Sequence, residues 1–224
     1  MEIFGGIGEI ISALFANDAW TLGDALRQNQ PATWTLGLLA TILGGLAMFF
    51  VYRFVPMIER HLEPTVMVVS YLMIGFIIFE SVVQRFLFDN QNPWSTTLPS
   101  FLFLIMTWVG CSYNVKLRTH LAFSEFRTAM PPAGQIFCLL LDALLWTGFA
   151  WIVVVTTTQE TVAAAANFRF MSGTDNLMQW WFLVSVPIAW TILVARVFEN
   201  LVVDLRNFRN GAPLIEQAVI GGDT

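Results

Sequence analysis

Apolar positions in this chain gather into long blocks separated by short charged or turn-forming stretches. Four blocks, roughly 66–88, 94–115, 134–157 and 178–203, are long enough to cross a membrane, for which a helix needs about 20 apolar residues. A fifth, WTLGLLATILGGLAMFFVYRFV over 34–55, carries no charge before Arg53 and is closed by Pro56 and the cluster Glu59, Arg60, His61 and Glu63. It reads as a span, with a helix lying along the interface as the alternative. Residues 1–15 follow another pattern. Ile3, Phe4, Ile7, Ile10, Ile11 and Leu14 recur at helical spacing opposite Glu2, Gly8, Glu9 and Ser12, as in a surface helix resting on lipid. Residues 17–31 read as loop. The pattern predicts an all-α integral membrane protein. A four-helix core bundle occupies 64–205, and an additional N-terminal membrane helix with its cytoplasmic connection occupies 34–63. An amphipathic N-terminal segment covers 1–33, and a cytoplasmic tail covers 206–224.

Composition agrees. Of 224 residues 56% are hydrophobic and 12% charged, about half of the ~25% charged residues of a soluble domain. Too few charges are present to cover a soluble surface, whereas lipid solvates an apolar exterior. Twenty Phe and nine Trp suit the hydrocarbon and its interfaces. The N-terminus lacks a positive leader region and carries Glu2 and Glu9, so it reads as part of the mature protein.

Placing the cations orients the chain. With five spans, Arg53, Arg60, Lys116, Arg118, Arg127, Arg196, Arg206 and Arg209 fall on one side and Arg27, Arg85 and Arg169 on the other. Lys and Arg accumulate in cytoplasmic loops, so the eight-against-three split predicts a cytoplasmic C-terminus. The run Lys116, Arg118, His120 then anchors a cytoplasmic exit. Without the span at 34–55, the other four keep their direction and the N-terminus moves inside.

The residues exclude several kinds of chemistry. His61 and His120 lie outside the spans, so paired axial haem ligands on facing helices are absent. Cys111 and Cys138 make no metal spacing and no disulfide framework. No catalytic set, metal site, substrate site or nucleic-acid patch is expected. Charges inside spans are costly and default to functional hypotheses. Asp142 and Arg196 are opposite in sign and similar in depth at 1.5 Å rise per residue, which predicts a buried pair between the third and fourth core helices. Glu199, three residues on, can share Arg196. Glu80 has no evident partner and is read either as a subunit contact or as a carboxyl satisfied inside the bundle.

The order of short motifs resembles the small membrane subunit of TRAP (tripartite ATP-independent periplasmic) transporters. Val83-Gln-Arg-Phe86 is similar to the ending of that family's first core helix, and Asn92-Pro-Trp94 to the entry of its second. Trp108-Val-Gly110 with Lys116-Leu-Arg-Thr-His120 resembles its tryptophan, glycine and basic stretch. Met130-Pro131 and Val186-Pro187 resemble its entries to the third and fourth helices. Ser95, Thr96 and Thr97 stand where the family carries acidic residues, and Thr119 where it has glycine.

The resemblance implies a scaffold without a sodium or substrate site of its own, sitting in the bacterial inner membrane. It would pair with a large sodium-coupled elevator subunit, while a periplasmic substrate-binding protein delivers an organic acid from outside. Arg85, Trp94 and Arg169 are then the first docking candidates, with Asp89, Asn92 and Asp175 beside them, since complementary charge steers encounter. Gly44, Gly45, Gly110 and Gly148 permit close helix contact. Two rivals stay open: a proton-coupled homo-oligomeric exporter using Glu80, and a membrane anchor for an enzyme complex.

Overall fold

The computed structural model describes residues 2–90, 92–118, 127–174 and 176–214. The regular elements are α1 (Glu2–Phe15), α2 (Ala19–Gln28), α3 (Gln30–Phe54), α4 (Pro56–Leu87), a 3-10 turn (Pro93–Thr96), α5 (Leu98–Leu117), α6 (Pro132–Ala166), a single turn α7 (Trp180–Leu183) and α8 (Ser185–Asn210). One antiparallel bridge joins Phe170 to Met178. Five helices are long and apolar enough to span a membrane, and they start at Gln30, Pro56, Pro93, Pro132 and Trp180. The chain is an all-α, multi-pass membrane protein.

Proline explains four of those starts. It stands at the first or second position of α3, α4, α5 and α6, where the missing N–H has no intrahelical partner to lose. At the far end of α8, Gly211 takes the left-handed conformation with φ +66°, which a residue without Cβ adopts freely.

The last helix is the axis of the bundle. Half of the most apolar stretch of α8 is buried, against 11% for α3 and for α4. It packs along α3, α5 and α6, whereas α4 packs mainly on α5. Trp190 sits at the centre, 5.3 Å from Trp108 of α5 and 5.2 Å from Phe149 of α6 between ring centroids. Around it close Val115, Ala150, Val154, Leu193 and Val197. The outward faces remain apolar: Phe76, Phe79 and Phe86 on α4, Leu144 and Leu145 on α6. In lipid such faces need no cover.

Helix α3 joins this bundle along its full length. A Cβ on Gly45 would come within 2.5 Å of Val194 Cγ1, and one on Gly44 within 2.6 Å of Thr191 Cγ2. Close approach therefore depends on both glycines. Gly110 faces Met67 at ordinary contact distance, and Gly148 meets nothing within 4 Å, so only part of the small-residue expectation concerns helix contact.

Three boundaries differ from the sequence reading. Residues 19–28 are helical rather than loop, because Asp18 caps α2 by accepting from the Trp20 and Thr21 amides at 3.2 Å. The charged stretch 56–63 is the first two turns of α4, not a separate connection. Pro64 lies within that helix, which is why a boundary was expected there. Residues 158–166 extend α6 beyond 157, where the third core block was expected to end.

Candidate functional site

The densest polar chemistry lies where α3, α4, α5 and α8 meet near one end of the bundle. Arg196 of α8 and Glu63 of α4 are both fully buried. Arg196 Nε donates to Glu63 Oε1 at 2.8 Å and Nη2 to Glu63 Oε2 at 2.6 Å, the bidentate fork that suits guanidinium and carboxylate. Its Nη1 donates to Glu199 at 2.6 Å and to the Glu59 carboxylate at 3.3 Å, and Nη2 also reaches the Glu59 carbonyl at 2.9 Å. The guanidinium carbon lies 3.9 Å from the Tyr52 ring centroid, a cation–π contact from α3. The Tyr52 hydroxyl donates to Glu63 at 3.4 Å. Lys116 of α5 pairs with Glu59. Four helices are thus tied to one guanidinium.

Helical spacing brings these groups together. Glu59 and Glu63 are four residues apart and share one face of α4. Arg196 and Glu199 are three apart on α8. A charge cannot stay alone in this interior, so each carboxylate is drawn to the cation.

The expected Asp142–Arg196 pair is not what forms. Asp142 accepts from Arg127 at 2.5 and 3.0 Å, and Arg196 is taken by Glu63, Glu199 and Glu59. Depth along a helix does not decide rotation about its axis. The α6-facing side of α8 carries Trp190, Leu193 and Val197, which turns Arg196 toward α4. Helix α6 has 35 residues, about 52 Å at 1.5 Å each, against a hydrocarbon core of about 30 Å. Asp142 therefore lies toward one end and is partly exposed. The hydrogen bonds that Arg127 donates to the Asp142 carboxylate hold the Arg127 pKa above its ordinary value.

Glu59, Glu63 and Tyr52 were missed as partners of Arg196. The signal available was the i, i+4 acidic pair Glu59 and Glu63 standing just ahead of the apolar run that opens at Val66.

The basic stretch lies at this same end. Arg118 donates to Asp204 of α8 at 2.7 Å, and Asn200 Nδ2 donates to the Val115 carbonyl at 2.8 Å. Arg118 also caps α5, with φ +54°. His61 approaches the Met57 carbonyl at 3.1 Å and is exposed. His120 falls outside the described residues.

At the opposite end, Trp94 is half-buried beside a clasped loop. Gly173 takes φ +83°, and a Cβ there would collide with the Pro93 and Trp94 backbone. Thr97 Oγ1 donates to the Ser172 carbonyl at 3.1 Å. Arg169 pairs with Glu160, both exposed. Arg85 is exposed in the last turn of α4 and makes no ion pair among the described residues. The structure gathers Trp94 and the 167–174 loop but ties neither to Arg85 by any bond. Asp175 is outside the described residues. Glu80 has a partner after all: Asn92 Nδ2 donates to its Oε1 at 3.3 Å, while its buried Oε2 accepts nothing.

Among the described residues no three His, Cys, Asp or Glu side chains converge as metal ligands. Arg196 and Glu63 are fully buried at the centre of the charged cluster, with the partly exposed Glu59, Glu199 and Lys116 paired around them. Its chemistry is that of a lock between helices.

The model of the family described as tripartite ATP-independent periplasmic transporters, DctQ component, matches residues 73–207. The chain is also 27% identical over 139 residues to the sialic acid TRAP transporter small permease protein SiaQ of Vibrio cholerae serotype O1, a match covering 60% of this chain and 78% of that protein. The matched region opens within α4 and closes within α8, leaving α1 to α3 as an addition. With more than half its length in that family and its inner charges joining helix to helix, the chain belongs to the DctQ family, a transporter component and not an enzyme.

Proposed function

We propose that this chain is the fixed membrane scaffold of a TRAP importer for small organic acids. It pairs with a large membrane subunit that carries the substrate and the coupling sodium. A periplasmic binding protein docks at the end bearing Arg85, Trp94 and Arg169. The end bearing Lys116, Arg118, Arg206 and Arg209 faces the cytoplasm of a bacterial inner membrane, in keeping with the accumulation of cations on that side. A sialic acid is one candidate substrate, taken from the name of the relative. The observation that carries the reading is the pairing of the inner charges between helices: Arg196 with Glu63, Glu59 and Glu199, and Lys116 with Glu59. A rigid wall for a moving neighbour needs no more.

The test is co-expression with a large TRAP subunit, followed by reconstitution with the binding protein and a sodium gradient. Uptake should require all three components and collapse without the gradient. Reversing charge at Arg85 and Arg169 should weaken uptake while the two membrane subunits still copurify. Transport by this chain alone, lost in Glu80→Gln, would support the exporter reading instead.

A further inference from the structure

Four of the eight cations at the basic end are matched, and Arg53 and Arg60 have no ion pair among the described residues. Lys116 has Glu59, Arg118 has Asp204, Arg127 has Asp142, and Arg196 has Glu63 and Glu199. Among the described residues Arg206 and Arg209 have no ion pair. They stand three residues apart in the final turns of α8. With Leu205 and Asn210 they line a shallow, open depression at the end of α8. Asp204, the acid beside them in sequence, is buried on another side of the helix and held by Arg118.

At 3.6 residues per turn, Val202, Leu205, Arg206 and Arg209 share roughly 100° of the α8 circumference. Higher up, that side meets α3, where Thr191 and Val194 lie against Gly44 and Gly45. Helix α3 stops at Phe54, and beyond it α8 is uncovered: Val202 is 51% exposed and Leu205 46%. The ledge has apolar side chains toward the spans and two unpaired guanidiniums toward the helix end.

We propose that this ledge binds an anionic phospholipid, with its phosphate between Arg206 and Arg209 and an acyl chain against Val202 and Leu205. Guanidinium forks match phosphate oxygens in geometry and charge. The C-terminal end of the helix contributes about half a negative charge against an anion, and two full positive charges outweigh it. Free phosphate satisfies the arginines but leaves the apolar half uncovered. An amphiphile satisfies both. The inference does not rest on the transport reading.

Native mass spectrometry of the full-length chain in non-ionic detergent tests it, with phosphatidylglycerol, phosphatidylcholine and inorganic phosphate as separate probes. Phosphatidylglycerol should be retained over phosphatidylcholine. In Arg206→Gln/Arg209→Gln retention should fall roughly thirtyfold, as expected for the loss of two cations near a membrane surface. Arg206→Lys/Arg209→Lys should keep part of it, and Arg53→Gln/Arg60→Gln, altering other unpaired cations of the same end, should leave it unchanged. Circular dichroism confirms that each variant is folded. The proposal is overturned by unchanged retention in Arg206→Gln/Arg209→Gln, by an equal loss in Arg53→Gln/Arg60→Gln, or by inorganic phosphate displacing the lipid at comparable concentration. Loss of a copurifying membrane subunit with lipid retention intact would assign the pair to a protein partner instead.

Discussion

Arg196 and Glu63, 133 positions apart in the chain, meet inside the bundle through hydrogen bonds of 2.8 and 2.6 Å, and neither side chain is exposed. Glu63 lies upstream of the family-matched region and Arg196 within it. Tyr52 of the added helix α3 covers the guanidinium. The ion pair ties the upstream turn of α4 to α8, and Tyr52 brings α3 onto the same guanidinium.

Removing one partner should be worse than removing both. Arg196→Met leaves Glu63 buried without a counter-charge, and breaking such a pair costs about 3–5 kcal/mol. Arg196→Met/Glu63→Leu should be less destabilised than Arg196→Met alone. Thermal unfolding in detergent, followed by circular dichroism, measures the difference.

The pair formed by Arg127 and Asp142 should matter far less. Both side chains are partly exposed, at 23% and 38%, and ion pairs open to water typically contribute about 0–1 kcal/mol. A double-mutant cycle with Arg127→Gln and Asp142→Asn should return a coupling within that range. Strong coupling of Asp142 to Arg196 in a parallel cycle would restore the expectation from sequence.

Docking of α3 on α8 depends on Gly45. Gly45→Val places methyl groups against Val194, and overpacking of this kind costs about 1–3 kcal/mol. Gly148→Ala, where the space is open, should be neutral. Cysteine cross-linking between α3 and α8 should fall in the first variant and persist in the second.

Glu80→Gln should not lower stability. Its Oε1 can still accept from Asn92, and a carboxylate oxygen without a partner is removed. A marked drop in melting temperature would mean that the carboxylate has a partner the structure does not hold.

The α2 cap predicts an acid-side effect. The Thr21 and Trp20 amides hold the Asp18 pKa below its ordinary value of 3.8. A carboxyl depressed on folding stabilises above its unfolded pKa, and the contribution is lost as pH falls through the folded one. Hydrogen exchange at Trp20 and Thr21, corrected for intrinsic rates, should accelerate as pH drops below 3.8, and Asp18→Ala should abolish that dependence.

Much of the fold was legible in the chain itself. A run of some 20 uncharged residues has one low-energy outcome in lipid, because its backbone must satisfy its own hydrogen bonds. The five spans and the gathering of Lys116 and Arg118 at the end of Arg206 and Arg209 follow from that rule and from the spacing of charges. Partners do not follow from it. Pairing Arg196 with Glu63 rather than Asp142 needed the rotation of α8, which Trp190, Leu193 and Val197 set by packing against α5 and α6. Extending α4 through Pro64 needed Glu59 and Glu63 to be wanted inside. One-dimensional pattern records how apolar a segment is and how often charges recur, and only the assembled bundle decides which faces meet.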